Sequence, residues 1–241
     1  MAINTYSVKE DKESINKIIC NFFYTHCVRL IKNYKNLNHF YLESEVTLTT
    51  KHMKHTIPCE KLYIANFDEN ICEIIKNAFP NINIYNNYST NFLSSCMIKF
   101  GSFWLDYCIT MYGNDKFKPM CDVKLILDRK LIINGGIIGL TFSLRNSNPS
   151  KKSKRFKTSG IKSYKLSPKE IKMGKFICHG VFPEDTNINE QMNNFIETLK
   201  KEYVNIYSFE IVKYYKYIHI KNSVSKMYTF FLKVFDSTLL I

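Results

Sequence analysis

The chain has 241 residues, of which 45% are hydrophobic and 15% aromatic, and its formal net charge is +13. This length is enough to bury one sizeable core. No stretch reaches the run of about 20 apolar residues that a membrane helix needs, and the opening MAINTYSVKEDKE lacks the apolar segment of a secretory signal. We therefore expect a cytoplasmic or nuclear protein that is not secreted and does not bind a membrane.

The eight cysteines agree with a reducing compartment, because no two of them have CxxC spacing and a core-rich chain does not need a disulfide framework. No metal site is predicted. His52 and His55 are three residues apart, but no acid or cysteine completes a ligand set.

The positive charge has two interpretations. It would attract a polyanion such as nucleic acid. The chain is also rich in Lys, Asn, Ile, Tyr and Phe, residues that an AT-rich genome, such as that of a large DNA virus or a parasite, supplies without any functional demand. Both interpretations stay open at this point.

The first 37 residues are predicted to form a helical extension, because apolar residues recur at spacings of three and four over residues 11–35. HFYLESE then predicts a short strand that ends near Glu43. TLTTKHMKH predicts a short helix, for which Thr47, Thr49 or Thr50 would be the N-cap.

The middle of the chain alternates between strand and helix patterns. KLYIA predicts a strand that leads to Asn66, and Asp68 is expected to cap the helix ENICEIIKNAF. INIYNN and FWLDYCIT predict two further strands, with the helical segment NFLSSCMIKFG between them. A helix over 119–131 and a tight turn at Gly135-Gly136 would lead into the strand IIGLTFSLR. Such alternation indicates a parallel sheet with helices on both faces.

Residues 146–175 are polar and basic, and they predict a loop or insertion. NEQMNNFIETLKKEY then predicts a helix. YSFEIVKYYKYIHI and KMYTFFLKVF predict two strands whose short link makes them an antiparallel hairpin.

This order of elements resembles the class I S-adenosylmethionine-dependent methyltransferases. HFYLESE is similar to their first strand with its acidic cofactor-loop residue, LYIANFDENICEIIK to the second strand and its helix, and INIYNNY to the third strand. FWLDYCIT and INGGIIGLTFSLR resemble a DYCGT-type fourth strand paired with a GG-hhxhTFSxR fifth strand. The resemblance covers roughly residues 38–146, with looser support to residue 235.

The resemblance implies an α/β fold of one domain over residues 1–241. It would be a Rossmann-like three-layer sandwich, whose mostly parallel seven-stranded sheet ends in a C-terminal antiparallel hairpin. The sequence departs from the family in three places. The turn ESEVTLTT lacks the glycines of ExGxGxG, Asn66 replaces the acid that closes the second strand, and Ile109 replaces the glycine of DYCGT. Such departures would alter, weaken or abolish cofactor binding.

Ligands of open α/β sheets bind beyond the carboxyl ends of the strands. The resemblance implies S-adenosylmethionine as the cofactor, and its predicted ligands are the polar residues at those ends: Glu43, Ser44, Asn66, Asn87, Tyr88 and Asp106. Asp106 and Tyr107 are predicted to be catalytic. The carboxylate would accept a hydrogen bond from an amino group, and the ring would stack on a base or line the path of the methyl group. A simpler interpretation makes Asp106 a cap of the following turn.

The densest basic run is predicted to contact a nucleic-acid backbone, and its members are Lys151, Lys152, Lys154, Arg155 and Lys157. A solvated loop or a localisation signal would explain the same run. The predicted function is an S-adenosylmethionine-dependent methyltransferase acting on nucleic acid. The alternative is a non-catalytic methyltransferase-like module that binds RNA or a protein partner. An α/β enzyme for another nucleotide is disfavoured, because no phosphate-cradling glycine loop is present.

Overall fold

One sheet organises the protein. The computed structural model describes residues 19–107, 119–143, 186–220 and 224–239. The strands are β1 (Asn38–Tyr41), β2 (Leu62–Asn66), β3 (Asn83–Asn86), β4 (Phe100–Asp106), β5 (Ile132–Ser143), β6 (Tyr207–Ile220) and β7 (Val224–Asp236). They form a seven-stranded sheet in the order β3-β2-β1-β4-β5-β7-β6. Strands β1 to β5 are parallel, and β7 is antiparallel to both β5 and β6. The predicted Rossmann-like sheet with its antiparallel C-terminal hairpin is confirmed.

The helices are α1 (Leu48–Met53), α2 (Glu69–Ala78), α3 (Ser89–Ser95), α4 (Pro119–Asp128) and α5 (Thr186–Glu202). No helix in the described ranges is long and apolar enough to cross a membrane. Asp68 caps α2 as predicted, because its carboxylate accepts hydrogen bonds from the amides of Asn70 (3.0 Å) and Ile71 (3.3 Å).

The N-terminal segment, residues 19–36, is a succession of short helical turns. A turn at 19–22 is followed by the π-helical turn Phe23–Cys27 and the 3-10 turns Val28–Leu30 and Tyr34–Asn36. Helical backbone is continuous from residue 19 to Leu30 and is interrupted at Ile31, which is extended, with ψ of 123°. The helix predicted up to residue 35 is therefore wrong beyond Leu30, where a separate 3-10 turn follows. Residues 1–18 and the predicted insertion 146–175 lie outside the described residues.

Alternate residues of the central strands enter two cores, one on each face of the sheet. Phe40 and Phe103 pack on the face covered by α3, α4 and α5. Tyr41 and Trp104 pack on the other face with the N-terminal segment, α1 and α2. β4 is buried on both faces, and its apolar residues Phe103, Trp104 and Leu105 are consecutive, as expected for an inner parallel strand.

The predicted turn at Gly135-Gly136 is wrong. The connection from α4 to β5 turns at Lys130, which has a φ of 53°, and both glycines lie inside β5. The register shifts between β4 and β5, because Phe100 pairs with Ile132 whereas Ser102 pairs with Ile137. The glycine pair therefore belongs to a bulge, which depends on the neighbouring strand and not on the local sequence.

Gly136, the second glycine of the bulge, lies too close to neighbouring backbone atoms for a larger residue. A Cβ atom at Gly136 would lie 2.9 Å from the carbonyl oxygen of Gly101 and 2.9 Å from that of Ile133. Gly135 has a φ of +74°, but a Cβ there would meet only the end of the Lys233 side chain, at 3.8 Å.

We expect Gly136→Ala to lower the free energy of unfolding by about 1–3 kcal/mol or more, because the backbone of β4 and β5 would have to move apart. Gly135→Ala is the matched control, and its loss should be limited to the cost of a left-handed alanine, about 1–2 kcal/mol. Urea denaturation of both variants measures the difference. The close backbone approach at Gly136 would be contradicted if Gly135→Ala lowered the free energy of unfolding as much as Gly136→Ala or more.

Candidate functional site

The parallel pairing of β1 and β4 brings two carboxylates to one edge of the sheet. Tyr41 pairs with Trp104 in parallel register. Glu43 and Asp106 each follow two residues later, so both leave at the carboxyl edge. Asn66 pairs with Asn86 at the ends of β2 and β3. This edge, from the end of β3 to the end of β4, is called the rim below.

The side chain of Glu43 is directed into the protein. Its Oε1 accepts a hydrogen bond from the amide of Ser44 (2.9 Å), and its Oε2 accepts from the amide (2.7 Å) and the hydroxyl (2.8 Å) of Thr50. Thr47 occupies the N-cap position of α1, but its side chain makes no capping bond. The carboxylate of Glu43 therefore satisfies the first turn of α1 in place of a threonine.

Burial raises the pKa of Glu43 to about 7. The hydrogen bonds from Thr50 and Ser44 act in the opposite direction, and the negative charge of Asp106 raises the pKa further. The two carboxylates are thus close enough to influence each other. Glu43 exchanges its proton near neutral pH.

The turn between β1 and α1 has a left-handed backbone at Thr47, with φ of 56° and ψ of 32°. Glycine favours this conformation, and a β-branched residue adopts it rarely. The Thr47 hydroxyl donates to the carbonyl of Val46 at 2.7 Å. The turn therefore has a glycine-like backbone at a position where the sequence has no glycine.

The two predicted asparagine ligands hold loops in place. Asn66 donates from Nδ2 to the carbonyl oxygen of Glu43 (2.9 Å), and its Oδ1 accepts from the amide of Asp68 (2.9 Å). Asn87 accepts through Oδ1 from the amide of Tyr88 (2.8 Å) and from Nδ2 of Asn91 (2.7 Å). Asn66 thus joins the ends of β1 and β2, and Asn87 shapes the start of α3.

A stacked aromatic pair stands at the ends of β2 and β3. The rings of Phe67 and Tyr88 have centroids 5.1 Å apart and an interplanar angle of 14°. Phe67 is 54% exposed, so part of its surface is open to a ligand. Sequence reasoning included Tyr88 and missed Phe67, although an aromatic residue between a strand and a helix-capping Asp68 was a usable signal.

Tyr107 leaves β4 with its hydroxyl bonded to the carboxylate of Asp122. The hydroxyls of Ser89 (2.5 Å) and Thr90 (2.6 Å) donate to the same carboxylate. Burial and the neighbouring charge of Asp122 raise the pKa of Tyr107 well above its ordinary value. The phenol therefore stays protonated, and the half-buried ring of Tyr107 packs against the core on the side of α3 and α4.

Asp122 was missed by sequence reasoning. It lies on the buried side of α4 with Val123 and Ile126, and it is 1% exposed. An acid among core positions of a helix indicates an internal acceptor, because a buried carboxylate needs partners. That signal was present in PMCDVKLILD.

The N-terminal segment closes one side of the rim. The Cys20 thiol lies 4.0 Å from the Thr49 hydroxyl, and burial together with the charges of Glu43 and Asp106 raises its pKa. The Tyr24 hydroxyl is buried and has no hydrogen-bond partner among the described residues. Asp106 is half-buried. The predicted nucleic-acid contacts at residues 151–157 lie outside the described residues.

Comparison with known proteins identifies the fold. No protein-family model matches the chain, and no curated protein matches it. The N-methyltransferase NodS from Bradyrhizobium japonicum, solved with S-adenosylhomocysteine, superposes with a TM-score of 0.51 over 94% of this chain and 87% of NodS, at 9% identity. The chain has the fold of the class I S-adenosylmethionine-dependent methyltransferases.

A second protein with the methyltransferase fold is a candidate RNA methyltransferase from Pyrococcus horikoshii. It superposes with a TM-score of 0.51 over 91% of this chain and 84% of its own length, at 5% identity. Because the identities are so low, the methyltransferase fold is what these proteins share with this chain. The chemistry of the rim has to be argued from its own residues.

Replacing Glu43 tests the buried carboxylate at the centre of the rim. A carboxyl group whose pKa is raised from 4.5 to about 7 binds its proton more tightly in the folded state. Its stabilising contribution is therefore fully present below pH 4.5 and is lost as the pH rises through about 7.

We expect the free energy of unfolding of the wild type, relative to Glu43→Gln, to fall by about 2–4 kcal/mol between pH 4.5 and pH 8. Comparing the two proteins at each pH removes the contributions of other groups, such as His39, whose pKa burial lowers to about 4. Urea denaturation across this pH range measures the difference in free energy of unfolding between the two proteins. A difference that stays constant with pH would contradict the raised pKa of Glu43.

Proposed function

We propose that this protein is an S-adenosylmethionine-dependent methyltransferase that acts on nucleic acid. The observation that carries the proposal is the rim. It places a half-buried carboxylate, Asp106, and the stacked pair Phe67–Tyr88 on one edge of a sheet with the methyltransferase fold.

The residues of the rim fit the cofactor in part. An exposed ring such as Phe67 suits a purine base, since base–aromatic stacking is favourable for any base. The Asp106 carboxylate suits an ammonium or amino group, and Ser44 adds an exposed hydroxyl. The acid that closes the second strand in the family is replaced by Asn66, whose Nδ2 and Oδ1 each already make a hydrogen bond inside the protein. We therefore expect binding that relies on the base and the amino-acid end of the cofactor.

When bound, S-adenosylmethionine supplies a methyl group on a positively charged sulfur. Methyl transfer from it depends on alignment of the reacting atoms more than on proton transfer. Asp106 would orient an amino group by accepting its hydrogen bond. Tyr107 would line the path with its ring, since its hydroxyl is engaged by Asp122. Both residues would act by positioning the reacting groups, and neither would act as a general base.

Nucleic acid is the substrate class that the charge favours. The net charge of +13 attracts a polyanion, and five basic residues fall within Lys151–Lys157. One protein with this fold is a candidate RNA methyltransferase. A cytoplasmic or nuclear location belongs to the same proposal, because both compartments contain nucleic acid.

The second candidate, a non-catalytic module that binds RNA or a protein partner, has an observation in its favour. Glu43 and Asn66, the residues closest to the acidic positions of the family pattern, use their polar atoms within the protein. Such a module would bind nucleic acid in a salt-sensitive manner and independently of the cofactor.

Calorimetry with S-adenosylmethionine separates the two candidates. The wild type should bind the cofactor, and Phe67→Ala should bind it roughly 2–10 times more weakly, because a stacking surface is lost. Ile74→Ala is the matched control, since Ile74 is 47% exposed on α2 and lies away from the rim. Absence of binding by the wild type at millimolar cofactor would exclude the methyltransferase and favour the module.

Substitution of Asp106 tests its catalytic role. With labelled cofactor and total nucleic acid, Asp106→Asn should reduce methyl transfer at least tenfold, about 1.4 kcal/mol of transition-state stabilisation. Its melting temperature and its salt-dependent nucleic-acid binding should be retained, because the substitution leaves every basic residue in place. Full methyl transfer by the folded variant would contradict the role. Replacing the five basic residues with Gln should instead lower nucleic-acid affinity and flatten its salt dependence.

A further inference from the structure

One buried carboxylate connects three elements at the rim. Asp122 belongs to the first turns of α4 and is 1% exposed. It accepts hydrogen bonds from Tyr107 at the exit of β4, and from Ser89 and Thr90 in the first turn of α3. The two strand-to-helix connections on either side of the rim therefore meet at a single side chain.

The chemistry of this carboxylate is unusual for a core position. All three partners are hydroxyl groups that donate to it, so both of its oxygens are hydrogen-bonded inside the protein. Burying a carboxylate is costly even when it is bonded, and an aliphatic residue beside Val123 and Ile126 would avoid that cost. Unlike an aliphatic side chain, the carboxylate orients its three partners through hydrogen bonds.

The partners are adjacent to the rings that face the rim. Ser89 and Thr90 directly follow Tyr88, whose ring stacks on Phe67. Tyr107 directly follows Asp106 and is itself bonded to the carboxylate. Asp122 is thus bonded to the residues that directly follow Tyr88 at one end of the rim and Asp106 at the other.

We propose that Asp122 is a positioning residue that couples the base-stacking end of the site, Phe67–Tyr88, to the transfer end, Asp106–Tyr107. The inference rests on the proposed function, because the two ends are subsites of one cofactor-dependent reaction. It adds a residue that contacts neither cofactor nor substrate and acts through Ser89, Thr90 and Tyr107.

The same helix supplies a matched control. Asp128, at the other end of α4, also accepts a hydrogen bond from a tyrosine hydroxyl, that of Tyr203, at 2.7 Å. Asp128→Asn therefore neutralises an exposed acid of the same helix that accepts from a tyrosine away from the rim, and Tyr203→Phe removes that donor.

The experiment measures cofactor affinity by calorimetry, and kcat and KM for nucleic acid with labelled cofactor. Asp122→Asn should weaken cofactor binding about threefold or more and lower kcat tenfold or more, whereas Asp128→Asn should change neither by more than twofold. Variants that each remove one hydroxyl donor should separate the effect on cofactor affinity from the effect on kcat. Ser89→Ala should raise the cofactor Kd with a smaller change in kcat, and Tyr107→Phe should lower kcat with an unchanged cofactor Kd.

Two results would overturn the inference while leaving the proposed function intact. In the first, Asp122→Asn matches Asp128→Asn in both cofactor affinity and kcat. In the second, Ser89→Ala and Tyr107→Phe change the same parameters to the same extent, as a merely structural role would require. The comparison of Ser89→Ala with Tyr107→Phe tests the inference even if Asp122→Asn does not fold. Failure of the wild type to bind the cofactor would refute the proposed function and this inference together.

Discussion

The parallel hydrogen bonding of β1 to β4 is the constraint from which the rest of the site follows. The amide of Leu42 donates to the carbonyl of Trp104 at 3.0 Å, one residue before Glu43 and two before Asp106. Because the two strands run in the same direction, their exits share an edge. Two further features of the rim involve the exit of β1 directly: Glu43 caps α1, and Asn66 donates to the carbonyl oxygen of Glu43.

Several polar side chains of the rim form hydrogen bonds within the protein. Glu43 caps α1, Asn66 bridges two strand ends, and Asp122 gathers three hydroxyls. Each of these side chains directs polar atoms to neighbouring groups of the protein, so fewer polar atoms of the rim are left for the cofactor. We assign the proposed recognition mainly to the exposed ring of Phe67 and to the Asp106 carboxylate at the end of β4.

Much of the fold was predictable from the sequence, because its signals are local. Asp68 could be identified as a helix cap, and β4 as a strand buried on both faces, from neighbouring residues alone. The glycine pair was misinterpreted because the bulge depends on pairing with Phe100 and Ser102 in another strand. The donors to Asp122 are 15 to 33 residues away, so no local pattern identifies them. The assignments of Asp106 as a catalytic residue and of Lys151–Lys157 as nucleic-acid contacts stay predictions.

The most direct measurement is a crystal structure of the protein grown with S-adenosylhomocysteine. The account predicts ligand density along the carboxyl edge of β1 to β4, with the adenine against Phe67 and the amino-acid end near Asp106, and with the Glu43 to Thr50 hydrogen bonds retained. Ligand density at any other edge of the sheet, or none at saturating ligand, would contradict it.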